Sequence, residues 1–162
     1  MESYGVRIAK ANLTFSAAHF ITLHAKQCEQ LHGHNYRVGV EVEGPLGDSQ
    51  FVVDFVTLER LLRAFVEPLD HRVLLPTDHP TIQIFESDTQ IEAIWKQRRW
   101  VFPRSDTVLL PVSNTTAELL ACHIGRQLIK ALRDTAGFEP RSLRVELQEI
   151  DGHSAFFTWR TD

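Results

Sequence analysis

The sequence has few cysteines, no long hydrophobic run and no excess of basic residues. Its two cysteines, Cys28 and Cys122, lie far apart among 162 residues. Because we expect a cytoplasmic chain, we predict two free thiols rather than a disulfide. No segment approaches the roughly 20 consecutive apolar residues that cross a bilayer, and the first residues lack the pattern of a signal peptide.

The balance of charges further restricts the class of partner. Lys and Arg number 17 and Asp and Glu number 21, which gives a net charge of −4. This balance disfavours nucleic acid or an anionic membrane surface as the partner. Hydrophobic residues make up 43% and charged residues 23% of the chain, as in ordinary globular proteins. We therefore predict one domain with a sizeable core.

Alternating and helical patterns predict strands at both ends of the chain and two helices between them. Strand patterns occur within residues 5–20 and over 35–43, 142–150 and about 154–159. One helix is expected just after Asp54 or Thr57, and a longer one over 113–133, capped by Asn114, Thr115 or Thr116. The order of these elements predicts an α+β domain.

The segment between the two helices has a weaker pattern. Residues 91–100 are expected to form a short helix, and residues 106–112 an extended stretch. No repeat, linker or low-complexity tract separates this segment from the rest. We therefore assign residues 1–162 to a single domain.

Three histidines have the spacing of a metal site. His32 and His34 are two residues apart, so a strand would project both imidazoles to the same side. His19 ends the preceding strand pattern, and antiparallel pairing would bring it beside them. Three neutral imidazoles with one open position form the ligand set of a catalytic zinc, whereas the alternative is a set of ordinary surface or hydrogen-bonded histidines. His24 is a spare candidate ligand.

Two further groups near the histidines could take part in chemistry. Cys28 lies four residues before His32, where its thiolate could be a fourth zinc ligand or a base. Asp70 and His71 follow the end of the first helix, where the carboxylate could orient the imidazole. The simpler alternative for this pair is a polar turn.

Taken together, these motifs resemble the 6-pyruvoyltetrahydropterin synthase and 6-carboxytetrahydropterin synthase family. The resemblance covers roughly residues 6–75 and 111–160. The motifs that carry it are Phe15-Ser-Ala-Ala-His19, Cys28-Glu-Gln-Leu-His32-Gly-His34-Asn-Tyr, Leu69-Asp70-His71, Asn114-Thr-Thr116-Ala-Glu118 and Glu149.

The resemblance implies a fold, an assembly and a cofactor. The fold is the T-fold, an antiparallel sheet with two helices packed on one face in the order ββααββ. Copies of this domain close into an oligomeric barrel, so a homo-oligomer, either a trimer or a hexamer, is expected. The cofactor is Zn²⁺, and the implied ligands are His19, His32 and His34.

The resemblance also implies roles for residues around the metal. Cys28, Asp70 and His71 form a proton relay, in which Asp70 and His71 come from a neighbouring subunit. The residues that bind the pterin substrate are Glu149, Thr116 and Glu118, of which Glu149 accepts hydrogen bonds from the pterin N–H groups.

The implied activity is that of a carbon–oxygen and carbon–carbon lyase. Three residues separate Cys28 from His32, as in the bacterial enzymes that convert 7,8-dihydroneopterin triphosphate to 6-carboxytetrahydropterin with loss of triphosphate and acetaldehyde. That product leads toward 7-deazaguanine and queuosine. The alternatives are a 6-pyruvoyltetrahydropterin synthase, which stops after triphosphate elimination, and a noncatalytic zinc- or pterin-binding relative.

The chain departs from the compact family members by an insertion at about residues 77–111. The segment contains Ile91-Glu-Ala-Ile-Trp-Lys-Gln-Arg-Arg-Trp100. We expect an amphipathic surface helix there, although the segment could instead cover the site, extend an oligomer interface or bind a partner.

Overall fold

The computed structural model describes residues 2–24 and 26–161. Its helices are Phe55–Val66 (α1) and Ala117–Ala136 (α2). Its strands are Tyr4–Ile8 (β1), Thr14–His19 (β2), Thr22–Leu23 (β3), Gln27–Cys28 (β4), His32–Gly44 (β5), Arg72–Pro76 (β6), Gln83–Glu86 (β7), Gln90–Trp95 (β8), Arg98–Pro103 (β9), Thr107–Leu110 (β10), Ser142–Ile150 (β11) and His153–Arg160 (β12). Five strands separate the two helices, so the chain departs from the simple order ββααββ.

The long strand β5 organises the main sheet. The strand order is β10-β6-β2-β5-β11-β12, and β1 pairs with the second half of β5. The pairs around β5 are antiparallel, but β6 runs parallel to β2 and β10 runs parallel to β6. The expectation of a purely antiparallel sheet is therefore wrong at this edge. Each parallel neighbour is reached through a long connection, as parallel pairing requires. Residues 20–71, which include β5 and α1, connect β2 to β6, and the insertion connects β6 to β10.

The main core lies between one face of this sheet and the two helices. On β5 the alternate residues Tyr36, Val38, Val40 and Val42 are fully buried, as the period of two predicts. The helices cover them with Leu58, Leu62, Leu120, Ile124 and Leu128, which are also buried. This arrangement confirms an α+β fold.

Capping residues fix where the two helices begin and end. The Asp54 carboxylate accepts a hydrogen bond from the backbone N–H of Thr57 at 2.8 Å, and Thr116 caps α2 in the same way. Gly137 ends α2 with a left-handed φ of 60°, which glycine adopts without steric cost. Neither helix is long and apolar enough to cross a membrane.

The insertion forms a small sheet of its own. Strands β7, β8 and β9 pair in order, all antiparallel. The expected helix over 91–100 is therefore wrong, because these residues form the hairpin of β8 and β9. Its inward residues Ile91, Ala93 and Trp95 are buried in a second core with Phe20 and Leu75.

Candidate metal and substrate site

The pairing of β2 with β5 brings the three predicted histidines together. His19 lies directly opposite His32, and His34 lies two residues further along β5 on the same face. One ring nitrogen from each residue can be chosen such that all three lie within 4.8 Å of one another. The cluster forms because two antiparallel strands with a period of two place alternate side chains side by side.

Backbone carbonyls orient two of these imidazoles. The Nδ1 of His19 lies 2.8 Å from the carbonyl oxygen of Thr115, and the Nδ1 of His32 lies 2.8 Å from that of Gln30. A carbonyl only accepts, so Nδ1 carries the proton and Nε2 is the unprotonated nitrogen, which offers its lone pair as an acceptor or a ligand. Burial lowers the pKa of His19, which keeps its ring neutral. These histidines could hold a metal ion, and three neutral nitrogen donors with an open side fit zinc.

A cavity of about 490 Å³ opens beside the histidines. Three carboxylates line it, from Glu29, Glu118 and Glu149. His153 and Ser154 lie at the same wall. None of the described residues that line this cavity is Lys or Arg. The cavity therefore suits the uncharged part of a small molecule that offers hydrogen-bond donors and lies close to a metal ion.

An irregularity in β11 places Glu149 in this cavity. The register of β11 and β12 shifts between Gln148 and Ile150, and such bulges re-aim side chains. The Tyr36 hydroxyl lies 3.3 Å from Nε2 of His19. Burial, followed by the negative charge of Glu149, raises the pKa of Tyr36 far above its ordinary range. Tyr36 therefore stays protonated and serves as a donor in the floor of the site.

The first turn of α2 forms another wall of the cavity. The Thr116 side chain accepts a hydrogen bond from the backbone N–H of Leu119 at 3.4 Å. Glu118 follows in the first turn, where the helix dipole favours a negative charge. Both residues line the cavity, and their role in binding substrate stays a prediction.

The residues just before α2 hold this wall against the end of β2. Asn114 Nδ2 donates to the Thr22 carbonyl at 3.1 Å, and Asn114 Oδ1 accepts from the Thr22 N–H at 3.4 Å. The fully buried Thr115 donates its hydroxyl to the Phe20 carbonyl at 3.2 Å. The helix start and the His19 strand therefore form one rigid frame.

Cys28 and its neighbour Glu29 face different surroundings. The Cys28 Sγ donates weakly to the Glu29 carbonyl at 3.6 Å, packs beside the second core and is not among the residues that line the cavity. Burial raises its pKa. Glu29 does line the cavity, and its carboxylate lies 3.8 Å from Nε2 of His32. Sequence reasoning missed Glu29, although the alternation of adjacent residues in an extended segment predicts opposite sides.

Comparison with known proteins identifies the family. Residues 8–159 match the family described as 6-pyruvoyl tetrahydropterin synthase. The chain belongs to this family. The 6-carboxy-5,6,7,8-tetrahydropterin synthase of Haemophilus influenzae is 30% identical over 120 residues, 71% of this chain and 77% of that protein. A Methanocaldococcus jannaschii protein, named as a candidate for the same activity, is 30% identical over 148 residues, 91% of this chain and 90% of that protein.

A solved structure in this synthase family shares the whole fold. The 6-pyruvoyl tetrahydropterin synthase of Plasmodium vivax superposes with a TM-score of 0.89 at 24% identity, covering 99% of this chain and 100% of that chain. The same protein has been solved as variants in which a glutamate, called the catalytic residue, is replaced by alanine or by cysteine.

Asp70 and His71, to which the synthase family resemblance assigns a relay role, lie away from the cavity. The Asp70 carboxylate accepts the backbone N–H of Ser16 at 2.8 Å, and this bond is the main reason that its pKa is lowered. His71 adopts a left-handed φ of 56°, which lets its Nδ1 reach the Asp70 carboxylate at 2.9 Å. The His71 side chain is 83% exposed. One chain therefore joins Asp70 to His71 but does not bring them to the Glu149 cavity.

Proposed function

We propose that this chain is a zinc-dependent 6-carboxy-5,6,7,8-tetrahydropterin synthase. It converts 7,8-dihydroneopterin triphosphate to 6-carboxytetrahydropterin, with loss of triphosphate and acetaldehyde. The observation that carries the proposal is the cluster of His19, His32 and His34, which opens onto a cavity that contains Glu149. The names of the bacterial and archaeal relatives support the choice of product.

The three histidines would hold the zinc ion. When bound there, zinc supplies a Lewis acid next to the substrate side chain. The hydrogen bonds from His19 to Thr115 and from His32 to Gln30 fix the rings before the metal arrives. Such partners hold the correct tautomer and raise metal affinity.

Glu149 would anchor the pterin ring. Its carboxylate can accept two hydrogen bonds from the donor N–H groups at one edge of the ring. A carboxylate partner also prevents those donors from being buried without an acceptor. The first turn of α2, with Thr116, forms the adjoining wall and offers backbone donors for the ring oxygen.

Proton transfer would fall to Cys28 or to Glu29. We propose Cys28 as the base, with Asp70 and His71 supplied by a neighbouring copy, as the family resemblance implies. Glu29 is the second candidate base, because its carboxylate lines the cavity beside His32. The catalytic glutamate named for the Plasmodium vivax relative makes this alternative worth testing.

A 6-pyruvoyltetrahydropterin synthase is the second candidate function. The observation in its favour is the full-length likeness to the Plasmodium vivax structure of that name, which includes the insertion. Both candidates require elimination of triphosphate, but only the first cleaves the side chain. The two therefore differ in the carbon skeleton of the product.

The deciding experiment is product analysis. Purified, zinc-loaded protein is incubated with 7,8-dihydroneopterin triphosphate, and the pterin product is identified by mass spectrometry. We expect 6-carboxytetrahydropterin together with acetaldehyde, and no turnover after removal of the metal by a chelator. A pyruvoyl product would select the second function, and the absence of turnover by zinc-loaded protein would exclude both.

A further inference from the structure

We propose that Arg98, which lies in the insertion, is a positioning residue for residues 28–30. This segment carries both candidate bases, so the expected effect on turnover rests on the function proposed above. The insertion would therefore hold an active-site segment of its own chain in position, rather than forming only a separate surface feature.

The contacts of Arg98 join it to three consecutive residues. Its Nη1 donates to the carbonyl oxygens of Cys28 at 2.8 Å and of Glu29 at 2.9 Å. Its Nη2 lies 3.4 Å from Oε1 of Gln30. Two main-chain carbonyls at the end of a two-residue strand therefore share one guanidinium as their donor. Because donors of this group lie in a fixed plane, the pair of bonds sets the direction of the segment as well as its position.

Aromatic stacking holds the guanidinium in place. The group lies 4.5 Å from the centre of the Trp100 ring, and Trp100 stacks on Phe20 at 4.2 Å with planes only 16° apart. Phe20 directly follows the proposed ligand His19. This series of contacts therefore connects the end of β2, through the insertion, to residues 28–30. A cation over an aromatic face is itself stabilised.

A second contact between the insertion and this loop supports the same role. Lys96, at the turn between β8 and β9, donates to the Lys26 carbonyl at 3.1 Å. Lys96 is exposed, and although its ammonium lies 4.3 Å from the centre of the Trp95 ring, it contacts a single carbonyl outside residues 28–30, so we assign it a smaller part in holding this segment. Arg98 is the better candidate because its side chain is half-buried and stacked.

The position of residues 28–30 affects two parts of the site at once. The Gln30 carbonyl receives the Nδ1–H of His32 at 2.8 Å, and Glu29 presents its carboxylate to the cavity. A shift of this segment would therefore misplace the base and turn a proposed ligand ring together. Displacements of about 1 Å at a reacting group can cost on the order of 10²-fold in rate.

Substitution of Arg98 by lysine tests the proposal. Arg98→Lys keeps the charge but loses the planar fork and the stacking, and Arg98→Gln removes the charge as well. The matched control is Arg99→Gln on the same strand, because Arg99 pairs with Glu92 inside the insertion instead. All variants are made in a Cys122→Ser background, so that only Cys28 reacts with a thiol reagent.

Three measurements separate positioning from a general loss of structure. We expect both Arg98 variants to lower kcat about 10- to 100-fold with a change in KM below about twofold. We expect the amides of residues 26–32 to exchange faster in both variants, because the segment opens more often. The thiol of Cys28 should be labelled faster in Arg98→Lys, which keeps the positive charge. Arg98→Gln removes the charge that lowers the pKa of this thiol, so amide exchange alone is the measure of opening for that variant. Melting temperature should match that of Arg99→Gln within error, and so should zinc content after loading with excess metal.

The outcomes distinguish this proposal from the proposed function. If the parent protein shows no turnover, the proposed function fails. The role of Arg98 is then decided by thiol labelling and amide exchange without the kinetic measurement. If turnover is present and the Arg98 variants match Arg99→Gln in labelling, exchange and kcat, positioning is wrong while the function stands. A loss of kcat that follows a matching loss of melting temperature, without faster labelling, also contradicts it.

Discussion

At the scale of single residues, metal binding depends on side chains that two strands place on one face. His19, His32 and His34 converge because of strand register. We predict about one zinc ion per chain, measured by elemental mass spectrometry. His32→Ala and His34→Ala should each lose the metal and the activity together. His24→Ala is the control and should keep the metal, because His24 lies outside the cluster. Full zinc occupancy in the His32→Ala, His34→Ala double variant would refute the ligand assignment.

A second prediction distinguishes a role of Cys28 as the base from a role as a metal ligand. Cys28→Ala should keep its zinc, because the histidine cluster does not include the thiol. It should lose kcat by about 10²- to 10⁴-fold, the usual contribution of a positioned base. Zinc content and single-turnover rates are the measurements.

Glu29→Gln is the matched test for the alternative base. If Cys28→Ala retains turnover and Glu29→Gln loses it, with zinc present in both, Glu29 is the base. Loss of zinc from Cys28→Ala would instead make Cys28 a metal ligand, and the proposed role would be wrong.

Much of the site could be predicted residue by residue, and the exceptions have physical reasons. The histidine spacing, Glu149 and the cap residue Thr116 all follow from strand alternation, motif resemblance and capping rules. Glu29 was not predicted, because a single glutamate beside a cysteine has no spacing that distinguishes it from an ordinary surface residue. The long-range partners of His19 could not be predicted, because the Thr115 carbonyl lies 96 residues away in sequence.

At the scale of elements, the antiparallel strands around β5 and both helices follow the sequence pattern closely, whereas the parallel edge of the sheet and the insertion do not. Ile91 and Trp95 are four residues apart, a spacing that suits a helix face and also alternate positions of a strand. The structure has a hairpin whose turn contains no glycine, since Lys96 adopts the left-handed φ of 53°. Without the usual turn signal, the sequence pattern could not distinguish the two.

The contact between the insertion and β3 leads to a prediction on pH dependence. His79 is buried, and its Nδ1 accepts the backbone N–H groups of Thr81 at 3.0 Å and Ile82 at 2.9 Å. Its Nε2–H therefore donates to the Thr22 hydroxyl at 2.7 Å. Burial lowers the pKa of His79 below its ordinary value of 6.5, so the folded protein holds this ring neutral.

The sign of the effect follows from linkage. The unfolded chain takes up its proton on His79 near the ordinary pKa, before the folded protein does. The stabilisation from the neutral His79 ring is therefore complete above the pKa of the unfolded chain. It is lost as the pH falls from that pKa toward the lower pKa of the folded protein. His79→Asn can still accept the two N–H groups but does not titrate. We expect the melting temperature of the parent protein to exceed that of His79→Asn by more at pH 7.5 than at pH 5.5. An equal difference at both values would contradict the linkage.

At the scale of the whole molecule, the cavity of one chain is incomplete for its proposed substrate. Its lining carries three carboxylates and, among the described residues, no Lys or Arg. A triphosphate needs cationic partners. In addition, His71 lines a second cavity, which shares His34 with the first but does not include Glu149. Both β10 and β12 end the sheet as edges. Closure by neighbouring copies would remove these edges and could complete each site.

We therefore predict that active sites are shared between copies. Cys28→Ala and His71→Ala should each be inactive alone, because each removes one part of the relay from every site. After dissociation, mixing in equal amounts and reassembly, a site is complete only where an intact Cys28 meets an intact His71 from the next copy. Random assembly in a closed ring makes about one quarter of the sites complete. Recovery of activity near that fraction, with subunit exchange verified by native mass spectrometry, supports a shared site. Verified exchange without recovery would mean that each chain carries its own relay, and that His71 moves to the cavity within one copy.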